Sequence, residues 1–104
     1  MNTEIKNMML ENKTAVITGC NRGIGLETLE LFSQNKANIF ACVRKIDSDF
    51  KEKIKFMEKK YSNRIVPVEF DLTNRETISN AIKMINSQEY DINILVNNAA
   101  VIHN

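Results

Sequence analysis

The chain has three glycines, and all of them fall within the run Thr18-Gly19-Cys20-Asn21-Arg22-Gly23-Ile24-Gly25. Glycine serves where a Cβ would forbid the backbone conformation, or where another backbone or a ligand must come close. Before this run, residues 13–19 (Lys-Thr-Ala-Val-Ile-Thr-Gly) are short, apolar and β-rich, which predicts a buried strand ending at a glycine. After it, Gly23–Asn35 places Ile24, Thr28, Leu31 and Phe32 at helical spacing and predicts that face as the buried one. A strand that turns through glycines directly into a helix faces the turn with unbonded N–H groups and the positive end of the helix dipole, an arrangement suited to phosphate. Gly19 allows the sharp exit from the strand, and Gly23 and Gly25 leave room for a pyrophosphate or for close packing on the strand. No Gly-Lys-Ser/Thr follows, which excludes a phosphate loop of the ATPase type. A tight turn holding no ligand is the alternative reading of the same glycines.

The rest of the chain continues the alternation. Residues 37–43 (Ala-Asn-Ile-Phe-Ala-Cys-Val) predict a second strand, and Asp49–Tyr61 a second helix with Phe50, Ile54, Met57 and Tyr61 on one face. Lys51, Lys55, Glu58 and Lys59 occupy its opposite face. Residues 65–70 predict a third strand, placed at a sheet edge because Pro67 has no N–H for a ladder bond. Thr73-Asn74-Arg75-Glu76 reads as a capping box, with Thr73 and Glu76 bonding one another's backbone N–H. The helix behind it shows Ile78, Ala81, Ile82 and Ile85 on one face, and residues 92–97 predict a fourth strand. An alternating β-α-β-α-β-α-β chain implies a parallel sheet with helices on its faces, and such sheets bind ligands beyond the carboxyl ends of their strands.

Those strand ends carry a set of motifs. Thr18-Gly19-x-x-x-Gly23-Ile24-Gly25 follows the first strand, Asp71-Leu72-Thr73 the third, and Asn97-Asn98-Ala99 closes the fourth. In this order and at these places, residues 12–100 resemble the short-chain dehydrogenase/reductase family. The resemblance implies a Rossmann-type doubly wound parallel α/β sheet, of which these are the first four strands, in order 3-2-1-4. It implies a nicotinamide dinucleotide as cofactor, held by Gly19, Asn21, Arg22, Gly23, Ile24 and Gly25. Asp71 would accept a hydrogen bond from the adenine amino group while the Leu72 backbone contacts the ring. Asn97 would steady the sheet through backbone bonds, and Asn98 and Ala99 would lie against the cofactor ribose. Ala100 departs from the glycine usual in the family's Asn-Asn-Ala-Gly, adding a methyl group at that place.

The second strand decides which cofactor is expected. NAD sites usually place an acidic residue there, about 20 residues beyond the glycines, to bond the ribose 2′-hydroxyl. Here Cys42-Val43-Arg44-Lys45 has no carboxylate before Asp47. Arg44 can instead pair with a 2′-phosphate, and Arg22 can approach the same group. NADP(H) is therefore expected in preference to NAD(H).

Composition narrows the function classes. Fourteen Lys+Arg against thirteen Asp+Glu leave a net charge of +1, without the basic surplus of a nucleic-acid binder. At 104 residues the chain suits one domain with one core, read as a leader over residues 1–12 and a partial dinucleotide-binding domain over 13–104. No stretch approaches the ~18–20 apolar residues that span a bilayer, and residues 1–10 are too polar for a signal-peptide core. Cys20 and Cys42 are too few for a disulfide framework, so a reducing cytoplasmic setting is expected. Cys20 reads as a small filler in the loop, Cys42 as core, Met8 and Met9 as leader or peripheral packing, and His103 as a loop residue without catalytic partners.

The family's proton-transfer groups, a Ser and a Tyr-x-x-x-Lys with a further Asn, lie beyond the fourth strand in chains more than twice this long. Here Tyr61 leads to Ile65 and Tyr90 to Ile94, so no catalytic residue is assigned. The resemblance implies the cofactor-binding part of an NADP(H)-dependent oxidoreductase that interconverts a carbonyl and a secondary alcohol, of a kind with 3-oxoacyl carrier-protein reductases. By resemblance the intact enzyme takes a small-molecule substrate and is a homo-oligomer. The 104-residue chain alone is expected to be inactive, and its unpaired fourth strand to favour self-association. A non-catalytic NADP(H)-binding protein and a degenerate gene product are the alternatives.

Overall fold

A computed structural model describes residues 9–88 and 90–98. Strands and helices alternate as β1 (Thr14–Thr18), α1 (Gly23–Gln34), β2 (Asn38–Val43), α2 (Ser48–Tyr61), β3 (Ile65–Glu69), α3 (Arg75–Asn86) and β4 (Ile94–Asn97). The strands form one parallel sheet in the order β3-β2-β1-β4, as expected. Pro67 lies on the edge strand β3, where its missing N–H costs no ladder bond.

The period-two direction of strand side chains divides the core between the two faces of the sheet. Ala15, Ile17, Ile39, Ala41, Val43 and Ile65 pack with Leu29 of α1 and with Phe50, Ile54 and Met57 of α2. Val16, Phe40, Cys42 and Val68 face the other way, onto Ala81 of α3. Because β1 and β2 are covered on both faces, their sequences read as continuous apolar runs. Burial of a side chain such as Phe40 or Ile17 contributes about 1.5–3 kcal/mol each.

Helix α1 turns a different face inward from the one that spacing predicts, and α3 buries only part of its predicted face. In α1 the buried row is Gly25, Leu29 and Ser33, while Ile24 and Leu31 are 74% and 54% exposed. The glycine turn sets this rotation: Gly25 lies against the backbone of Gly19, and its i+4 and i+8 neighbours follow it onto the sheet. In α3, Thr77 and Ala81 are buried, Ile85 packs at the margin of the core, and Ile82 is 54% exposed. Helix α2 buries Phe50, Ile54 and Met57 as predicted, and its Tyr61 hydroxyl donates to Glu30 Oε2 on α1 at 3.0 Å. Glu58 does not simply face solvent: its Oε2 accepts from the Ile65 N–H at the start of β3.

The predicted capping box is replaced by a different set of bonds. Asn74 caps α3, its Oδ1 accepting from the Glu76 N–H at 3.0 Å, while Thr73 turns back to Asp71. Thr73 lies one residue too early to cap a helix that starts at Arg75. The last strand is shorter than residues 92–97, although Asn93 extends its pairing. The Asn93 N–H donates to the Thr14 carbonyl and its Oδ1 accepts from the Thr14 N–H, both at 2.9 Å. On the outer edge of the sheet, Leu95 of β4 is 69% exposed.

Residues 1–8 of the expected leader, including Met8, lie outside the described residues, as do Ala99, Ala100 and His103. No helix among the described residues is long and apolar enough to cross a membrane.

Candidate functional site

Strand register gathers the predicted residues on one edge. Thr18 lies beside Cys42 on one side and Asn97 on the other, and Val43 lies beside Glu69. Gly19, Arg44, Asp71 and Asn98, all just beyond their strands, therefore emerge along the carboxyl edge of the sheet.

At the middle of that edge, the β1–α1 loop turns through Gly19 and Gly23 at φ +65° and +58°, the left-handed region that suits glycine. A Cβ at Gly23 would meet nothing within 4 Å, so that glycine faces open space. A Cβ at Gly25 would lie 1.7 Å from the Gly19 carbonyl oxygen, so that glycine is required for the loop to close on the helix. The two glycines thus serve different purposes: one leaves an approach from outside, and the other packs inward.

Helix α1 differs from its two companions at its N-terminus. The Asp47 carboxylate caps α2, accepting from the Phe50 N–H at 2.8 Å, and Asn74 caps α3. Asp49 and Glu76 place acids in the first turns of those helices. The residue at the cap of α1 is Arg22, which is extended, makes no side-chain cap bond and is followed by no acid in the first turn. An arginine has no acceptor to offer. The first turn of α1 therefore has neither a side-chain acceptor for its N–H groups nor an acid at its positive dipole end, and Asn21, Arg22, Gly23 and Ile24 around it are exposed.

To one side, Arg44 leaves β2 with its side chain 77% exposed and its Nε 3.7 Å from Asp71 Oδ1. That separation makes a loose ion pair between residues that the sequence assigned to different parts of a cofactor. Asp71 itself is firmly held. Its N–H donates to Thr77 Oγ1 at 2.9 Å, and its carbonyl accepts from Asn74 N–H at the same distance. Thr73 Oγ1 and Thr73 N–H both donate to Asp71 Oδ1, at 2.7 and 3.0 Å. These two bonds, with the Arg44 guanidinium adding to them, hold the carboxyl below its ordinary 3.8. The stabilisation that accompanies this lowering is present above the unfolded value and is lost as pH falls through the folded one. Leu72, next in sequence, is 43% exposed.

On the other side, the Thr18 hydroxyl joins the ends of β1 and β4. It donates to Asn97 Oδ1 at 2.8 Å and accepts from the Asn98 N–H at 2.9 Å. Asn97 is thus tied to the neighbouring strand through its side chain in addition to its place in the β1–β4 ladder. Thr18→Val keeps the shape and loses both of these bonds, leaving polar groups unpaired at the strand end. We expect it to cost about 1–3 kcal/mol, read as a lower urea midpoint with an unchanged slope.

The cysteines have no place in this chemistry. Burial pushes the Cys20 and Cys42 thiols up to about 12, and each sulfur sits against a main-chain carbonyl. Cys20 is fully enclosed beneath the glycine loop, as a filler would be. Nothing in the sequence singled out Thr77 or the turn of Thr73 toward Asp71. A threonine at both positions after an Asp at a strand end was the available signal, and both contacts depend on where α3 starts.

A parallel sheet in the order β3-β2-β1-β4, with a glycine turn at β1, a cation after β2 and a locked carboxylate after β3, defines a Rossmann-type fold. A family model described as short chain dehydrogenase matches residues 13–104. The chain belongs to that family. It is 31% identical over 93 residues to an NADP-dependent 3-hydroxy acid dehydrogenase of Schizosaccharomyces pombe, a match covering 88% of this chain and 36% of the relative. It is 32% identical over 94 residues to a 3-oxoacyl-acyl-carrier-protein reductase of Buchnera aphidicola, covering 90% and 36%. Among solved structures, L-sorbose reductase of Gluconobacter frateurii complexed with NADPH and L-sorbose superimposes with a TM-score of 0.80 at 32% identity, over 91% of this chain and 36% of that one. The chain spans about a third of the length of these relatives.

Proposed function

We propose that this chain is the NADP(H)-binding part of an oxidoreductase that interconverts a carbonyl and a secondary alcohol. The observation that carries the reading is the N-terminus of α1: the helix end behind the glycine turn is the one left without a side-chain cap or a first-turn acid. The residues present fit a dinucleotide. The first-turn N–H groups at Gly23, Ile24 and Gly25 bond the pyrophosphate, which approaches over the open face of Gly23 along the loop of Gly19, Asn21 and Arg22. Arg44, with Arg22 beside it, pairs with the 2′-phosphate. Asp71 accepts from the adenine amino group, and the Leu72 backbone lies along the ring. Asn98 borders the ribose, and the family resemblance assigns Ala99 to the same contact.

When bound, the nicotinamide supplies or takes up the hydride; the chain's own work is to hold and orient the cofactor. The relatives that carry NADP or NADPH in their names or complexes support the choice of cofactor. Relatives that act on a hydroxy acid and a 3-oxoacyl group support the alcohol–carbonyl class. Within that class we favour a 3-oxoacyl-type substrate, with residues 13–104 as the first part of the domain and the whole protein a cytoplasmic homo-oligomer. Competition tests the cofactor assignment. 2′,5′-ADP carries the adenine and the 2′-phosphate without the nicotinamide. It should displace NADPH about tenfold more effectively than 5′-AMP, which differs from it by the 2′-phosphate alone, one charge-assisted contact being worth that much. Equal displacement by the two would contradict the role of Arg44.

A further inference from the structure

The two oxygens of Asp71 are not equivalent. Thr73 Oγ1 and Thr73 N–H both bond Oδ1, and Arg44 leans on the same atom. Among the described residues, no hydrogen bond is made to Oδ2. The backbone of Asp71 is fixed as well, because its N–H bonds Thr77 Oγ1 and its carbonyl takes the Asn74 N–H. Thr77 is itself buried, so this turn has little freedom to follow a ligand. The side chain of Asp71 keeps 21% of its surface exposed, and Oδ2 is the oxygen whose acceptor capacity the chain's own described groups do not use.

We propose that Thr73 is a positioning residue that fixes which oxygen of Asp71 meets the purine, and that the site thereby selects a 6-amino purine over a 6-oxo purine. This rests on the reading of Asp71 as the adenine contact. In that reading Arg44 moves onto the 2′-phosphate, and Thr73 is the group that continues to hold Oδ1. An ionised carboxylate is an acceptor only. A fixed Oδ2 accepts from the exocyclic amino group of adenine. Hypoxanthine presents a carbonyl oxygen at that position, and two acceptors then face one another. Hypoxanthine also has an N1–H that a carboxylate can accept, but reaching it requires the carboxylate to turn. Thr73 prevents that turn. The geometry therefore assigns base selectivity to the orientation of the carboxylate, not to its charge alone.

The test uses the full chain with two probes, NADPH and its analogue carrying hypoxanthine in place of adenine, each titrated at pH 7. Wild type should prefer NADPH by about 10–100-fold, the range for a partly exposed hydrogen bond to a charged group. Thr73→Val keeps the branched shape and loses the hydroxyl donor, while the backbone N–H remains. It should narrow the preference about 3–10-fold, mainly by improving binding of the hypoxanthine analogue. Thr73→Ser restores the donor and should restore the preference. Thr73 is exposed, so both variants should fold, and far-UV circular dichroism confirms it. A preference unchanged in Thr73→Val, or equal weakening of both nucleotides in Thr73→Val and Thr73→Ser alike, would overturn the positioning role while leaving cofactor binding intact. Failure of folded wild type to bind either nucleotide would overturn the cofactor reading, and this inference with it.

Discussion

Replacing Gly25 with alanine is expected to abolish NADPH binding and to cost about 3 kcal/mol or more of stability, the upper range for overpacking. The added Cβ would lie 1.7 Å from the Gly19 carbonyl oxygen and 2.6 Å from its carbon. Both are backbone atoms of a turn already committed to a left-handed conformation, so no side chain can rotate to relieve the clash. Either α1 moves away from β1 or the turn opens, and each route displaces the first-turn N–H groups. Gly23→Ala makes a useful contrast. Its Cβ meets nothing, and its penalty is the positive φ alone, about 1–2 kcal/mol. Urea unfolding of the two variants, followed by circular dichroism, should therefore rank Gly25→Ala well below Gly23→Ala. The reverse order would mean that close packing of loop on helix is not what the glycines protect.

The second large effect is on cofactor choice. Arg44→Ala should weaken NADPH binding about 10–100-fold, as a charge-assisted contact of roughly 1.5–3 kcal/mol is lost. NADH binding should stay within about twofold, because NADH has no 2′-phosphate to lose. The exposure of the Arg44 side chain favours the lower part of that range and predicts that the preference shrinks with added salt. Parallel titrations of both cofactors at two ionic strengths measure this. A loss shared equally between NADPH and NADH would mean that Arg44 acts through Asp71, its present partner, and not through the phosphate.

The parts of this molecule legible in the sequence are those decided by local chemistry. The glycine turn declared itself because left-handed and close-packed positions admit few residues. The strands of the sheet centre declared themselves because burial on both faces leaves an unbroken apolar run, as in Ala15–Ile17 and Ile39–Val43. Pro67 marked the edge for want of a donor. Less legible were features set by contacts between elements. Ile24 and Leu31 keep helical spacing yet face outward, because Gly25 must meet Gly19 and fixes the roll of α1. Thr73 had the spacing of a cap, but α3 starts one residue later and Asn74 takes the role. The ion pair of Arg44 with Asp71 joins residues 27 positions apart, and only the pairing of β2 with β3 brings their strand ends together.

We propose binding of NADP(H) along the carboxyl edge of this sheet. Its most direct test is a titration of the folded full chain with NADPH, following nicotinamide fluorescence, with NADH run in parallel. Saturable binding of one NADPH per chain is expected, with NADPH preferred to NADH about tenfold or more. A chain that is folded by circular dichroism but binds neither nucleotide, or that binds NADH more tightly than NADPH, would contradict it.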